Sequence, residues 1–284
     1  MIISIASGKG GTGKTTVAVN LALSLLKEHP QLIDCDVEEP NSHILLTPSF
    51  HRVTPVGIPV PRIDESKCTS CGQCAKVCEY HAIAVIVKTV LVFDEMCHGC
   101  GACSYLCPEK AIFEVEREIG IIQEGSSDGI HFVNGMLNVG EPMASPLIRK
   151  VKEHIQKDGT VIIDAPPGTA CPVIETVRGT DFCLLVTEPT PFGLNDLALA
   201  VGMLEKLGIP KGVVVNKADI GDRKVWEYCE SKHIPILMEI PMDRQIAELY
   251  SKGIPFVFER PSYIQTFQEL YEKVEALYES SRRK

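Results

Sequence analysis

The sequence predicts an α/β fold, a mostly parallel sheet with helices on both faces, carrying a small inserted α+β domain. Three observations predict it. Short apolar runs alternate with helical patterns along most of the chain, a glycine-rich loop directly follows the first apolar run, and a cysteine-rich segment interrupts the alternation.

Residues 1–7 read as a short buried strand, and a helical pattern runs from Lys14 to about Glu28. Gln31 to Cys35 reads as a second strand. Pro55, Pro59 and Pro61 then fall within residues 53–61, which is expected to be a stiff linker. The cysteine-rich segment covers 62–113, and Glu114 to Gly140 shows short strand-like pieces. Beyond it the strands are Thr160–Asp164, Phe182–Thr187, Gly212–Asn216 and Pro235–Ile240. The helices between them are about Ser145–Lys157, Asn195–Leu207, Lys224–Lys232 and Arg244–Lys252. Such alternation fits a parallel sheet covered on both sides. The expected domains are therefore a discontinuous one, 1–61 with 114–284, and an insert, 62–113.

The 284 residues suffice for one large and one small domain, and a hydrophobic content of 45% argues against disorder. A net charge of −9 without a long basic run argues against nucleic-acid binding. The most apolar stretch, Ala82 to Phe93, is short and carries Lys88, so no membrane span is expected. The glycine-rich loop lies so near the start that no signal peptide is expected, and a cytoplasmic location follows. Of the 12 cysteines, Cys35, Cys171, Cys183 and Cys229 are scattered; the rest form two tight clusters. In a nucleotide-binding chain, clustered thiols are metal or cluster ligands rather than disulfide partners.

Gly8-Lys9-Gly10-Gly11-Thr12-Gly13-Lys14-Thr15 fits G-x-x-x-x-G-K-[ST] after a strand and before a helix. Glycines let successive backbone N–H groups turn toward phosphates, and the helix N-terminus adds partial positive charge. Lys14 supplies a point charge to the β- and γ-phosphates, the Thr15 hydroxyl can ligate Mg²⁺, and Thr16 completes the nucleotide-binding set. Val161 to Asp164 is an apolar strand ending in Asp; Asp164 can reach Mg²⁺ through water, and Gly168 can sense the γ-phosphate. Asp36, ending the second strand, either orients the attacking water or serves as a turn residue. Asn216-Lys217-Ala218-Asp219 reads like the guanine-binding N-K-x-D motif, which leaves ATP and GTP both open.

The chain resembles the superfamily of MinD, ParA, Mrp and the nitrogenase iron protein. The resemblance rests on the deviant Walker A loop Lys9 to Thr15, Asp34-Cys-Asp-Val-Glu-Glu-Pro-Asn41, Asp164-Ala-Pro-Pro-Gly168 and Thr187-Glu-Pro-Thr190. Within it, the chain is similar to MinD-type ATPases with an inserted ferredoxin domain. The resemblance implies an ATPase with weak or partner-stimulated hydrolysis and an Asn216 that contacts adenine. It further implies a nucleotide sandwich dimer, homomeric or with a related ATPase, in which Lys9 reaches the partner's phosphates. Asp36 and Asp164 would be the residues of switches I and II.

Within 62–113, Cys68, Cys71, Cys74 and Cys78 recur 29 positions later as Cys97, Cys100, Cys103 and Cys107. C-x2-C-x2-C-x3-C occurring twice is the bacterial ferredoxin pattern, in which three close thiolates and the fourth Cys of the other run hold each cubane. Two 4Fe–4S clusters are expected, one on Cys68, Cys71, Cys74 and Cys107, the other on Cys97, Cys100, Cys103 and Cys78. Pro108 follows Cys107 as the pattern expects, whereas Glu79 follows Cys78. Ala82–Lys88 and Thr89–Phe93 should form a hairpin, and His81 and His98 read as exposed loop residues. Cys171 reads as buried and inert. The last helix, about Tyr263 to Tyr278, is expected to dock on the core, because Glu269, Glu272 and Glu275 would be repelled by an anionic membrane. Arg282-Arg283-Lys284 reads as a solvated tail.

The sequence supports an ATP-driven redox protein passing electrons through its clusters to an acceptor. The alternative is a maturation factor that carries clusters or metals to a client enzyme.

Overall fold

A computed structural model describes residues 1–282; Arg283 and Lys284 of the expected tail lie outside the described residues. In chain order the elements are β1 (Ile2–Ala6), α1 (Lys14–Ser24), β2 (Gln31–Asp34), α2 (Ser42–Leu46), β3 (Ser49–Ile63), α3 (Gln73–Val77), β4 (Ile83–Ile86) and β5 (Thr89–Val92). Next come α4 (Ala102–Tyr105), β6 (Ile112–Ser127), β7 (Ile130–Leu137), α5 (Ser145–Lys152), β8 (Val161–Asp164), α6 (Cys171–Val177), β9 (Phe182–Thr187) and α7 (Pro191–Leu207). The chain ends with β10 (Lys211–Asn216), α8 (Lys224–Ser231), β11 (Ile236–Ile240), α9 (Arg244–Ser251), α10 (Phe256–Glu259) and α11 (Ser262–Arg282).

The main sheet has the order β11-β10-β9-β1-β8-β2-β7-β6-β3, and the pairs from β11 through β7 are parallel. Side chains alternate across it, as a strand's period of two requires. Leu184 and Val186 of β9 and Val214 of β10 enter one core with α1, α10 and α11. Cys183 and Leu185 of β9, with Val213 and Val215 of β10, enter a second core with α6, α7 and α8. Helices thus cover both faces. Strands buried on both sides read as near-continuous apolar runs, which is why they are visible in sequence.

Helix α11 docks as expected. Phe267, Leu270 and Val274 are fully buried in the first core. The Tyr271 hydroxyl shares a hydrogen bond with the Thr160 hydroxyl at 2.7 Å, and the Tyr278 hydroxyl donates to Asp181 at 2.7 Å. Among the described residues no helix is long and apolar enough to cross a membrane.

The proline-containing segment differs from the expected linker: it lies within the 15-residue edge strand β3. Pro55, Pro59 and Pro61 occupy one alternate set of residues, so the missing N–H groups fall on one side of the strand. An edge strand tolerates that, because one side needs no ladder donors. The uncertain stretch after the cysteines proves to be two long strands, β6 and β7. Asp128 (φ 49°) and Gly129 (φ 88°) join them, the pair that a two-residue type I′ hairpin favours.

The chain forms two compact units, one of residues 1–53, 122–136 and 148–284, the other of residues 54–121 and 137–147. The second is wider than the expected insert and contains it. It holds the antiparallel hairpin β4–β5 and the short helices α3 and α4. Repeat-equivalent glycines, Gly72 (φ 79°) and Gly101 (φ 72°), start those helices.

Candidate functional site

In the first unit, the loop after β1 opens into a cavity of about 450 Å³ lined by Gly10, Gly11, Gly13, Lys14, Thr15, Thr16, Asp36 and Asn216. α1 begins at Lys14 with no side-chain cap, so its first N–H groups remain available to an anion. Gly13 sits at φ 96°, and a Cβ there would lie 2.6 Å from Asn216 Nδ2. That Nδ2 donates to the Thr12 carbonyl at 2.9 Å, tying the end of β10 to the loop. Gly8 is just as constrained, since a Cβ would lie 2.2 Å from the Asp196 carbonyl oxygen on α7.

Three carboxylates converge here. Asp34 is fully buried and accepts backbone N–H groups from Asp36 at 3.0 Å, Asn41 at 3.1 Å and Ser42 at 3.0 Å. It therefore shapes the loop that carries Asp36. The Ser42 hydroxyl donates to Asp164 Oδ2 at 3.2 Å, while Asp164 Oδ1 is buried without a hydrogen-bond partner. Burial, and then the charge of Asp34, raise the pKa of Asp164 and push that of Asp36 up to about 7; Lys14 opposes both shifts. Burial also raises Asp34, against its three N–H donors. An orphaned carboxylate oxygen, a crowd of negative charge and the nearby Thr15 hydroxyl are a donor set that fits a divalent cation.

Lys9 has a partner that sequence reasoning missed. Its Nζ lies 3.9 Å from Glu188 Oε2, and Glu188 Oε1 pairs with Lys217. Glu188 follows β9 and is nearly buried. Gly168, at φ 95°, donates its N–H to the Ser7 carbonyl at 3.1 Å. Asp219 Oδ1 accepts the Met242 N–H, so the acid of the N-K-x-D motif is already engaged by backbone.

In the second unit, Cys68, Cys71, Cys74 and Cys107 line one cavity, hereafter the first. Cys78, Cys97, Cys100 and Cys103 line another, the second. Backbone N–H groups of Ala82, Gly99 and Ala111 point at the sulfurs of Cys78 (3.3 Å), Cys97 (3.5 Å) and Cys107 (3.3 Å). Burial raises the thiols of Cys74 and Cys97 and pushes Cys103 up to about 11. Among the described residues no three His, Cys, Asp or Glu side chains gather closely enough to hold a single metal ion. A cubane takes one ligand at each of four corners, and each cavity offers four thiols, a donor set that fits such a group. Beside the second cavity, the His98 ring stacks on Tyr80 with centroids 3.5 Å apart and planes 8° apart. Burial there lowers the His98 pKa. His81 is exposed.

Cys35, Cys183 and Cys229 are buried, and burial raises their thiols. Cys171 corrects the expectation. It is exposed, because it is the first residue of α6, ahead of Pro172, and the β8–α6 loop leaves its side chain uncovered.

A strand–glycine loop–helix cradle at one end of a parallel sheet defines a P-loop nucleotide-binding protein. More particularly, residues 3–256 match the family described as CobQ/CobB/MinD/ParA nucleotide binding domain, and the chain belongs to it. The uncharacterized protein MJ0579 of Methanocaldococcus jannaschii is 33% identical over 261 residues, covering 90% of this chain and 91% of that one. An iron-sulfur cluster carrier protein of Pyrococcus horikoshii is 26% identical, covering 96% of this chain and 84% of its own length. Among solved structures, the septum site-determining protein MinD with Mg-ADP from P. horikoshii superposes with a TM-score of 0.62 at 20% identity, over 99% of this chain and 98% of that one. The Pyrococcus furiosus cell division ATPase MinD gives 0.59 at 23%, over 97% and 98%. At these identities the structural likeness speaks for the fold.

Proposed function

We propose that the chain is an ATP-binding and ATP-hydrolysing carrier of iron–sulfur clusters that delivers them to a client protein. The observation that carries this reading is the pair of four-cysteine cavities in the same chain as a phosphate-binding cleft. The names of the carrier relatives support it.

In this reading the N–H groups of Gly10 to Gly13 and the start of α1 cradle the phosphates, and Lys14 neutralises them. Thr15 and Asp164 serve Mg²⁺, which would polarise the γ-phosphate. Asp36 orients the attacking water, and Gly168 exchanges its bond to Ser7 for contact with the γ-phosphate. Asn216 faces the base, and ATP is preferred because Asp219 Oδ1 already accepts from Met242, which leaves one oxygen for guanine's two donors. Lys9 leaves Glu188 to reach the phosphates of a second subunit, a copy of this chain or a related ATPase. The two cysteine sets hold 4Fe–4S clusters, and delivery to the client draws on them.

Electron transfer is the second reading. It is favoured by the four thiols at each cavity, because saturated ligation suits a retained cluster. Anaerobic purification with iron, sulfide and electron paramagnetic resonance analysis tests both, followed by transfer to an apo-ferredoxin with and without Mg-ATP. Transfer to the acceptor supports the carrier reading. Clusters that stay bound yet cycle between redox states support the second, and zinc as the main metal overturns both.

A further inference from the structure

The two cysteine cavities derive from a 29-residue repeat, so each position in one has an equivalent in the other. The equivalents are not alike. His98, next to Cys97, corresponds to Thr69, next to Cys68; Tyr80, two residues after Cys78, corresponds to Glu109, two residues after Cys107. All four line their cavities. At the second cavity the stacked rings of Tyr80 and His98 join the segment of the remote cysteine to the three-cysteine loop. At the first, a threonine and a carboxylate stand in those places, and neither has a ring to stack.

Exposure follows the same division at two of the four pairs. Cys97 and Cys103 are buried, whereas their equivalents Cys68 and Cys74 are partly exposed; Cys71 and Cys100 are both exposed, and Cys78 and Cys107 both partly exposed. Pro59 and Pro61 of β3 also wall the second cavity. Thiolate exchange at iron requires an incoming ligand to reach the site, so shielding slows it, as access governs thiol exchange generally.

We infer that the two sites have different jobs. The first cavity holds the cluster that is given up, and the Tyr80–His98 stack retains the cluster of the second. This rests on the reading that the cysteines hold clusters on which delivery draws. In the release step, each Fe–S bond to a chain cysteine is exchanged for an Fe–S bond to an acceptor thiolate. The chain's cysteines leave as thiolates, and no electron is moved.

The test is iron release from the anaerobically loaded full-length chain into excess bathophenanthroline disulfonate, followed by absorbance. Release should be biphasic, half of the iron leaving about tenfold faster than the rest, a barrier difference of about 1.4 kcal/mol. Cys68→Ala with Cys71→Ala should remove the fast phase. Tyr80→Glu with His98→Thr, which installs the first cavity's residues in the second, should bring the slow phase to the fast rate. Thr69→His with Glu109→Tyr should slow the fast phase. Circular dichroism of each variant reports folding, and either pair of exchanges alone suffices to decide. A single phase, or a fast phase that survives loss of Cys68 and Cys71, overturns the inference while leaving the carrier reading intact. A chain that takes up no iron instead overturns the carrier reading.

Discussion

Gly13→Ala is the sharpest test of the nucleotide cleft. At φ 96° an alanine carries backbone strain, and its Cβ would stand 2.6 Å from Asn216 Nδ2, an impossible contact. Relief requires the loop to leave this φ and Asn216 to give up its 2.9 Å bond to the Thr12 carbonyl. The loop lines an open cleft, so the free protein can relax at little cost. ATP binding demands the original geometry and must restore it. Strain of about 1–3 kcal/mol and one hydrogen bond of about 0.5–1.5 kcal/mol together give about 1.5–4.5 kcal/mol. At 1.4 kcal/mol per tenfold, ATP affinity should fall roughly 10- to 1,600-fold. Titration calorimetry with Mg-ATP measures this, with Gly159→Ala as control. Gly159 has φ 90° with nothing within 4 Å of its Cβ, so that change should lower stability without touching the Kd. An unchanged Kd for Gly13→Ala would mean that nucleotide does not sit in this loop.

Lys9→Ala should abolish an ATP-analogue-dependent dimer in sedimentation while changing monomer stability by less than about 1 kcal/mol, since its pair with Glu188 is long and half-exposed. Glu188→Gln should strengthen that dimer in the same assay; a weaker dimer would contradict the role given to Glu188. Excess Mg-GTP should displace a bound fluorescent ATP analogue less well than Mg-ATP does, because Asp219 Oδ1 already accepts from the Met242 N–H. Lys152 donates to the carbonyls of Glu175, Thr176 and Arg178 at 2.7, 2.9 and 2.6 Å, so Lys152→Met should lower the stability of the nucleotide-binding unit in urea by about 2 kcal/mol. Burial lowers the Lys152 pKa, so the unfolded chain binds more protons between the folded and unfolded values. Stability should rise with pH across that window, and Lys152→Met should remove the rise.

Much of this was legible because it is local. The phosphate loop is a contiguous motif, doubly buried strands are apolar runs, and the cysteine register is a repeat. What failed was non-local. Prolines in β3 read as a linker because sequence does not reveal that the strand lies at a sheet edge. The Asp128-Gly129 turn signal was present, but the charged and polar residues of β6 before it obscured the hairpin. α6 is seven residues long with Pro172 near its start, too short to show periodicity. Asp34 and Asp36 look equivalent in sequence, and only burial shows that Asp34 shapes the loop while Asp36 faces the cleft. Tyr80 carries no motif of its own. The 29-residue repeat sets it opposite Glu109, and that contrast was the available signal.

In the proposed dimer, Glu188 lets the monomer hold Lys9 for a partner without a large penalty. A nearly buried carboxylate with a single cation would be left uncompensated when that cation departs, which is strongly unfavourable. Here Glu188 has two cations at unequal range: Lys217 close, and Lys9 at 3.9 Å. When Lys9 swings to phosphate, Glu188 keeps its nearer partner and no buried charge is orphaned. The release of Lys9 then costs only what a long, half-exposed pair is worth, about 0–1 kcal/mol. The phosphates of a bound nucleotide, carrying several negative charges, outweigh that readily. On the proposed function, Lys9 is thus held near Glu188 before a partner arrives, yet weakly enough that nucleotide on a second subunit would take it.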